Sequence, residues 1–199
     1  MRPGYWPEAK RHLAKTDPVL RKLIRKHSEA EFRLRGDAFQ ALARAIVGQQ
    51  ISVKAAQSIW ARFEDCVGKV TAANVVAKDA AALRGCGFSG QKVAYVKDLA
   101  NRFHSGEVKP RRWKAMDDEA IIEELVAVKG IGRWTAEMFL MFSLERPDVL
   151  PVDDLGLQRA MERSYNNGRA LTKDRMRRIG AAWAPWRSVG TWYMWRSLE

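Results

Sequence analysis

Two amphipathic stretches meet at a pair of glycines, and this junction constrains the fold more than any other feature of the chain. Residues 117–128 lead into Gly130-Ile131-Gly132, and a second apolar run, 133–144, follows. Two glycines in such a turn allow positive φ and the close approach of another backbone, so we expect Gly132 to share in a positive-φ geometry. Amides near Gly132 begin the second helix, where free N–H groups and the helix dipole favour an anion such as phosphate.

Helical periodicity extends through almost the whole chain. Asp37 and Ser52 have the character of helix caps, and the helix after Ser52 is expected to bury Val53, Trp60 and Phe63. No segment alternates convincingly in the manner of a strand, and residues 110–116 resemble a basic connector. The pattern predicts an all-α fold of roughly ten helices with short connections.

Composition narrows the class of protein. The 199 residues can bury one core or two small lobes, and a formal net charge of +12 points to a polyanionic partner, although charge alone does not exclude a merely basic soluble protein. Cys66 and Cys86 are too few for a cluster or zinc site without other ligands and are expected to be reduced thiols. No apolar run reaches the length of a membrane span, so we expect a cytoplasmic protein (nuclear in a eukaryote) without membrane contact.

A pair of carboxylates lies where a Pro-bearing loop turns into another helix. Asp153 and Asp154 follow Leu150-Pro151-Val152 and precede Leu155-Gly156. Because they are adjacent, their side chains point in different directions, and one of them is expected to cap the helix. The glycine junction can hold a nucleic-acid backbone, and the carboxylates can do chemistry beside it.

Five motifs occur between Asp37 and Trp195: Ile46-Val47-Gly48-Gln49-Gln50-Ile51-Ser52, Gly87-Phe88-Ser89 with Lys92, Gly130-Ile131-Gly132-Arg133-Trp134-Thr135-Ala136, Asp154-Leu155-Gly156-Leu157-Gln158-Arg159 and Trp186-Arg187-Ser188. Together these motifs resemble the helix-hairpin-helix (HhH-GPD) DNA glycosylase superfamily, and most closely its 3-methyladenine DNA glycosylase II subfamily. The resemblance implies one glycosylase unit of two helical lobes, about 37–153 and about 1–36 plus 154–199, with the active cleft between them.

The family pattern of an Asp followed by an apolar and then a basic residue selects Asp154 as the catalyst, with Leu157 and Arg159 in register. Asp153 is the alternative and otherwise serves as the cap or supports the catalyst. Breaking an N-glycosidic bond builds oxocarbenium character on the deoxyribose, which a carboxylate stabilises while it orients a water. A base alkylated at N3 of adenine or N7 of guanine is cationic and leaves readily, so the site needs no metal.

Trp134 occupies the position where strand-cleaving relatives carry a lysine, two residues beyond the second glycine of the hairpin. Since Trp cannot form a Schiff base, the resemblance implies a monofunctional enzyme that leaves an abasic site. Trp134, Trp195 and Phe39 are candidates for an aromatic base pocket, in which stacking and cation–π attraction favour an electron-deficient base. For Trp134 the alternative is ordinary core packing, and for Phe39 it is burial.

The resemblance implies two groups of DNA-binding residues. The first is Gln49, Gln50 and Ile51: Gln50 is the wedge that fills the gap left by an extruded base, and Gln49 contacts the backbone or the orphaned base. The second is the hairpin, with Lys129, Gly130, Ile131, Gly132 and Arg133. For Lys129 the alternative is a solvated surface lysine, and for Arg133 it is an internal ion pair.

The expected partner is double-stranded DNA with damaged bases, bound by a monomer without a cofactor. A monovalent cation on the carbonyls of hairpin residues 128–132 is left open. One alternative is a glycosylase for deaminated or oxidised bases, which would have the same loop, carboxylate and fold. A non-catalytic DNA-binding module would keep the hairpin and the charge, but it would need neither Asp154 nor an aromatic pocket.

Overall fold

The computed structural model describes residues 3–28, 32 and 36–199. Within these residues the chain forms thirteen α-helices and a short 3-10 turn and contains no β-strand, which confirms the predicted all-α class. No described helix is long and apolar enough to cross a lipid bilayer. The helices are α1 (Trp6–Thr16), α2 (Pro18–Lys26), α3 (Ala38–Gly48), α4 (Val53–Val67), α5 (Ala72–Ala77), α6 (Ala80–Gly85), α7 (Gly90–Ser105), α8 (Pro110–Trp113), α9 (Asp118–Val126), α10 (Arg133–Phe142), α11 (Leu155–Tyr165), α12 (Lys173–Gly180) and α13 (Arg187–Arg196), with the 3-10 turn at Ala181–Trp183.

Helix α8 replaces part of the connector predicted over residues 110–116. Pro110 stands at its start, where a missing N–H is tolerated. Trp113 at its end is 1% exposed, and its indole N–H donates to the Glu124 carboxylate at 2.7 Å. This burial of a large aromatic ring explains why a stretch rich in Arg and Lys forms a helical turn against the core.

The middle unit comprises Arg35–Phe139. Its long helix α7 packs against α3 and α5. Helix starts follow the predicted caps, since the Asp37 carboxylate accepts from the Gln40 amide at 3.0 Å and the Ser52 hydroxyl accepts from the Ala55 amide at 3.2 Å. Its largest buried aromatic side chains are Phe39, Trp60, Phe63, Phe88, Trp113 and Phe139.

The second unit joins Met1–Leu34 to Leu140–Glu199. The division falls inside α10, so residues 140–153, which the sequence assigned to the middle lobe, group here with the terminal residues. Aromatic rings fill its core: Trp6 contacts Phe32 and Trp192 at centroid distances of 5.2 Å. Tyr193 lies in the same cluster and is fully buried.

A buried carboxylate ties the start of α2 to α11 within this second unit. Asp17 is 5% exposed and caps α2 by accepting from the amides of Val19 and Leu20 at 2.8 and 3.0 Å. Its other oxygen accepts from the Tyr165 hydroxyl at 2.7 Å and from the Trp183 indole at 2.9 Å. Burial, followed by the charge of Asp17, raises the pKa of Tyr165 well above its usual range. Helix α11, which begins beside the paired carboxylates, is thus anchored at its far end.

Candidate functional site

The two glycines of the hairpin have different roles. Gly130 adopts φ +82°, and a Cβ added there would lie 2.1 Å from Cδ2 of Tyr95. Gly132 lies outside the positive-φ region, and a Cβ there would meet no atom within 4 Å. The prediction that Gly132 takes part in a positive-φ geometry is therefore wrong, because Gly130 alone makes the turn. The open space at Gly132 leaves room for a molecule outside the protein.

Helix α10 begins directly after Gly132. The first helical hydrogen bond runs from the Ala136 amide to the Gly132 carbonyl at 3.0 Å. The first N–H groups of a helix have no acceptor within it, and the helix dipole adds positive potential at this end. The backbone around exposed Gly132 can therefore offer amides to an anion such as phosphate.

One face of α7 holds the hairpin in place. Asp98 accepts from the backbone amide of Lys129 at 2.9 Å and from Arg102 at 3.1 Å. Tyr95, three residues earlier, lies with its ring directly against Gly130. Residues three apart share a helix face, so α7 supports the turn with one carboxylate and one ring.

Gln49 connects the hairpin to the loop between α3 and α4. Its side-chain amide donates to the Gly130 carbonyl at 2.7 Å. Lys92 on α7 donates to the Val47 carbonyl at 2.6 Å, and burial lowers the pKa of its ammonium group. The end of α3 is therefore bound to both the hairpin and α7. The sequence assigned Gln49 to DNA contact, but its side-chain amide nitrogen instead forms a hydrogen bond within the protein, to Gly130.

Three other predicted hairpin contacts differ in availability. Lys129 is exposed, as a phosphate contact requires. Ile131 is only 3% exposed and anchors the turn from inside, so its side chain is a core residue and not a DNA contact. Arg133 forms a bidentate ion pair with Glu119 at 2.6 and 2.8 Å and approaches Glu137 at 3.3 Å. The hydrogen bonds with Glu119 raise the pKa of Arg133 and lower that of Glu119, so a phosphate would have to compete with two carboxylates for Arg133.

The loop between α3 and α4 exposes polar and apolar side chains together. Gln50 is exposed and has φ +57°, a conformation that costs a non-glycine residue about 1 kcal/mol or more. Ile51 is 36% exposed, and Val53 is 74% exposed. The predicted burial of Val53 is therefore wrong. It occupies the first position of α4, at the helix end, whereas buried Trp60 and Phe63 lie further along. Val53 is therefore a candidate DNA contact, which the sequence did not indicate because its position in the helical pattern predicts burial.

The two adjacent carboxylates are in different environments. Asp154 is the cap of α11, and its Oδ1 accepts from the Leu157 amide at 2.6 Å and from the Trp195 indole at 2.7 Å. Asp153 is exposed and forms an ion pair with Lys173. The cap that the sequence left to Asp153 therefore belongs to Asp154. The geometry orients the Asp154 carboxylate through two donors, while Asp153 faces solvent.

Trp195 is held in turn by an aromatic neighbour. Its ring stacks on Phe142 with centroids 6.0 Å apart and planes 15° from parallel. A Cβ at Gly156 would lie 3.0 Å from Oδ1 of Asp154 and 3.2 Å from the Trp195 ring. Glycine at 156 therefore leaves room for the hydrogen bond between Trp195 and Asp154, a contact that the sequence analysis did not predict.

The loop that precedes Asp154 is fixed by α13 and α11. Arg187 binds Asp148 through Nε at 2.6 Å and Nη2 at 2.7 Å. The Ser188 hydroxyl donates to the Arg146 carbonyl at 2.6 Å. Gln158 donates to the Val152 carbonyl at 2.8 Å. The motif around Arg187, which resemblance linked to the site, acts here by positioning the loop of the carboxylates.

The remaining aromatic candidates divide into exposed and buried. Trp134 is 49% exposed at the start of α10, which contradicts its alternative role in the core. Phe39 is 4% exposed and packs edge-to-face against Phe103 at 5.4 Å. Phe39 is therefore placed among core residues, whereas Trp134 and partly buried Trp195 present aromatic surface.

The described residues contain no cluster of three or more His, Cys, Asp or Glu side chains that could hold a metal ion. On the hairpin, a monovalent cation would have to be bound by carbonyl oxygens. The Val128 carbonyl accepts from the Ile131 amide at 3.1 Å, and that of Gly130 accepts from Gln49. Each carbonyl oxygen has a second lone pair, so these bonds leave acceptor capacity for a cation.

Comparison with known proteins places these features in a family. A family model described as HhH-GPD superfamily base excision DNA repair protein matches residues 43–185. DNA-3-methyladenine glycosylase 1 of Schizosaccharomyces pombe is 34% identical over 168 residues, which are 82% of this chain and 73% of that protein.

Solved structures give the same result. A DNA-3-methyladenine glycosidase from Bacillus halodurans superposes with a TM-score of 0.88 at 38% identity, covering 96% of this chain and 88% of that one. The Schizosaccharomyces pombe 3-methyladenine DNA glycosylase in complex with abasic DNA superposes with a TM-score of 0.80 at 31% identity, covering 95% of each chain. This chain therefore belongs to the HhH-GPD superfamily of base excision DNA repair proteins.

Proposed function

We propose that this protein is a DNA glycosylase that releases alkylated bases from duplex DNA, with Asp154 as its catalytic carboxylate. The observation that carries the proposal is the orientation of Asp154 by the Trp195 indole and the first turn of α11, in a chain whose relatives are DNA-3-methyladenine glycosylases. Asp153, exposed and paired with Lys173, is the weaker candidate.

Binding begins with the DNA backbone. The hairpin offers the amides at the start of α10 and the exposed Lys129 to a phosphate. Because nothing lies within 4 Å of a Cβ built at Gly132, the DNA backbone can approach the hairpin closely there. Gln50 and Ile51 press into the duplex where the damaged base has left the stack and offset part of the unstacking free energy. These contacts hold DNA independently of the extruded base.

Base release requires stabilisation of positive charge on the sugar. The bond between C1′ and the base nitrogen breaks, and its electron pair leaves with the base, which neutralises the cation of an alkylated purine. The Asp154 carboxylate stabilises the oxocarbenium ion and orients the water whose oxygen bonds to C1′. The water proton passes to the carboxylate and then to solvent. Trp134 offers an aromatic face to the cationic base.

The reaction ends at the abasic site. Trp134 occupies the position of the lysine that would form a Schiff base, so the enzyme is monofunctional. It acts as a monomer in the compartment that holds the DNA. A monovalent cation on the carbonyls of the hairpin would strengthen its hold on phosphate without entering the chemistry.

A base-release assay tests the proposal. The protein is incubated with methylated DNA and with matched duplexes that contain uracil, hypoxanthine or 8-oxoguanine. We expect 3-methyladenine and 7-methylguanine to be released and the other bases to be retained. Release of uracil or hypoxanthine alone would assign the site to deaminated bases, and no release from any duplex would reduce the protein to a DNA-binding module.

A further inference from the structure

Helix α12 and the residues just before it form a cluster of positive charge on the second unit. Residues 169–178 carry five Arg or Lys side chains and one Asp, a net charge of +4 out of the +12 of the whole chain. All five cationic residues are exposed. Two of them form ion pairs, Lys173 with Asp153 and Arg177 with Asp174. The other three form no ion pair with any residue that the structure describes: Arg169, Arg175 and Arg178.

The stability of α12 does not explain this cluster. Lys173 and Arg175 lie in the first turn, where the helix dipole disfavours cations. Arg175 and Arg178 are three residues apart on one face of the helix, and like charges at this spacing repel each other. These arginines therefore weaken α12 unless an anion from outside the chain binds them.

Helix α12 lies alongside the loop that carries the paired carboxylates. Its first residue, Lys173, forms the ion pair with Asp153. Its last residue, Gly180, packs so closely on Leu150 that a Cβ there would lie 2.7 Å from Cδ2 of Leu150. Since both ends of α12 contact residues 150–153, the helix runs beside this loop. The unpaired arginines of α12 therefore stand within one helix length, about 12 Å, of the residues that lead into Asp154.

The chemistry of the cluster fits the phosphates of a nucleic-acid strand. Its unpaired cations are all arginines, whose planar guanidinium can donate two parallel N–H bonds to one phosphate. Met176 is fully buried in the core of the unit and so fixes which face of α12 points outward. Phosphates of one strand recur about every 3.4 Å along a duplex, so about three of them match the length of α12. A fixed row of guanidinium groups suits such a polyanion.

We propose that α12 binds the phosphates of the damaged strand that flank the nucleotide at Asp154. The inference rests on the proposed glycosylase function, because a sugar held at Asp154 is what brings the strand past α12. Arg175 and Arg178 each bind one phosphate through the guanidinium group. Lys173 stays paired with Asp153, so that this exposed carboxylate does not repel the strand.

The test removes charge from the two sides of this contact separately. Arg175→Gln combined with Arg178→Gln removes two charges from α12. The matched control, Lys22→Gln combined with Arg25→Gln, removes two exposed cations at the same spacing from α2 of the same unit. Each protein is titrated with a duplex that carries an abasic analogue. In two further duplexes, methylphosphonates replace three consecutive phosphates of the strand with the analogue, on its 5′ side in one and on its 3′ side in the other.

The expected losses follow from the release of counterions. At about 0.15 M salt, one phosphate contact contributes about fivefold to the affinity and two contribute about thirtyfold. The α12 double variant should therefore bind the unmodified duplex about 5- to 30-fold more weakly than the wild type, with a log–log salt slope smaller by about 1–2. The α2 control should lose less than about twofold, since its charges act only through a screened field. Methylphosphonates on one side should weaken the wild type by a factor similar to that of the variant and leave the α12 variant unchanged.

Three results would overturn the proposal. Equal losses in the two double variants would show an effect of net charge alone. Methylphosphonates on either side that weaken the wild type and the α12 variant by the same factor would show that α12 does not contact these phosphates. An α12 variant that binds as the wild type does would leave this face to solvent or to a protein. A Tm within about 2 °C of the wild type in both variants confirms that the fold is intact.

Base release distinguishes the failure of this inference from that of the proposed function. Single-turnover release at saturating protein should be the same in the wild type and the α12 variant, because the arginines act on binding. If the wild type releases alkylated bases while the methylphosphonate effect is the same in both proteins, the inference fails alone. If the wild type releases none, the proposed function fails, and the methylphosphonate duplexes still decide whether α12 binds the strand.

Discussion

Gly130→Ala should destabilise the protein strongly, because two independent costs arise at one position. The φ of +82° disfavours any residue with a Cβ, by about 1–2 kcal/mol. The new methyl group would also meet Cδ2 and Cγ of Tyr95 at 2.1 and 2.6 Å. Cγ lies at the base of the ring, so a small rotation cannot clear the contact, and overpacking of this kind adds about 1–3 kcal/mol. The sum is about 2–5 kcal/mol.

Thermal and urea unfolding measure this loss, with Gly132→Ala as the matched control. A domain of this size loses about 2–4 °C in Tm for each kcal/mol, so Gly130→Ala should melt about 4–20 °C lower than the wild type. Gly132→Ala, with no atom within 4 Å of its Cβ, should stay within about 1 kcal/mol. The added methyl group at Gly132 should instead weaken binding to every duplex, whatever base it contains.

A second substitution separates the two costs. Tyr95→Ala in the Gly130→Ala background removes the clash but leaves the backbone strain, so relative to Tyr95→Ala alone the added loss should fall to about 1–2 kcal/mol. If Gly130→Ala unfolds within about 0.5 kcal/mol of the wild type, both the backbone strain and the contact with Tyr95 are contradicted. If the added loss stays the same in the Tyr95→Ala background, the contact with Tyr95 alone is contradicted.

Three further predictions concern chemistry. Asp154→Asn keeps a capping side chain, so base release should fall by at least about 100-fold while affinity for abasic duplex is retained; an inactive Asp153→Asn with an active Asp154→Asn would reverse the assignment. Incubation with methylated duplex should give alkali-labile sites without strand scission, and a borohydride-trapped adduct would show that a lysine reaches the sugar. Folded Trp134→Ala should lose release of cationic bases while the affinity for plain duplex and its salt dependence stay unchanged; a general loss of affinity would place Trp134 on the DNA-holding surface instead.

The sequence predicted the structure best where a local pattern is compatible with only one backbone conformation. Helical spacing, with Asp37 and Ser52 as caps, predicted α3 and α4 because a cap satisfies amides that no other local group reaches. The turn at Gly130 was predicted for the same kind of reason, since few residues other than glycine tolerate its φ. Such features depend on neighbours along the chain.

Features that depend on distant partners were not predictable. Gln49 stands in a motif that implies DNA contact, yet the Gly130 carbonyl binds it from another segment. For Arg133 the sequence left a phosphate contact and an internal ion pair open, and it did not identify Glu119 as the partner. Val53 has the helical period of a buried residue, but it lies at a helix end and is exposed. Polarity and period are local properties, whereas the partner of a side chain is set by packing.

At Asp154, a contact with a distant residue does leave a local trace in the sequence, namely the glycine at position 156. A carboxylate that caps a helix is ordinary, and the cap alone would not distinguish Asp154 from Asp117 or Asp79. The Trp195 indole distinguishes Asp154 from these caps, because the indole N–H and the Leu157 amide both donate to Oδ1 of Asp154. A Cβ at position 156 would crowd the hydrogen bond between Trp195 and Asp154. A glycine two residues after the carboxylate is therefore the sequence feature that indicates this hydrogen bond. Two donors hold Oδ1, so the carboxylate cannot rotate freely. If Asp154 is the catalyst, as we propose, its orientation towards the developing positive charge is set before DNA binds.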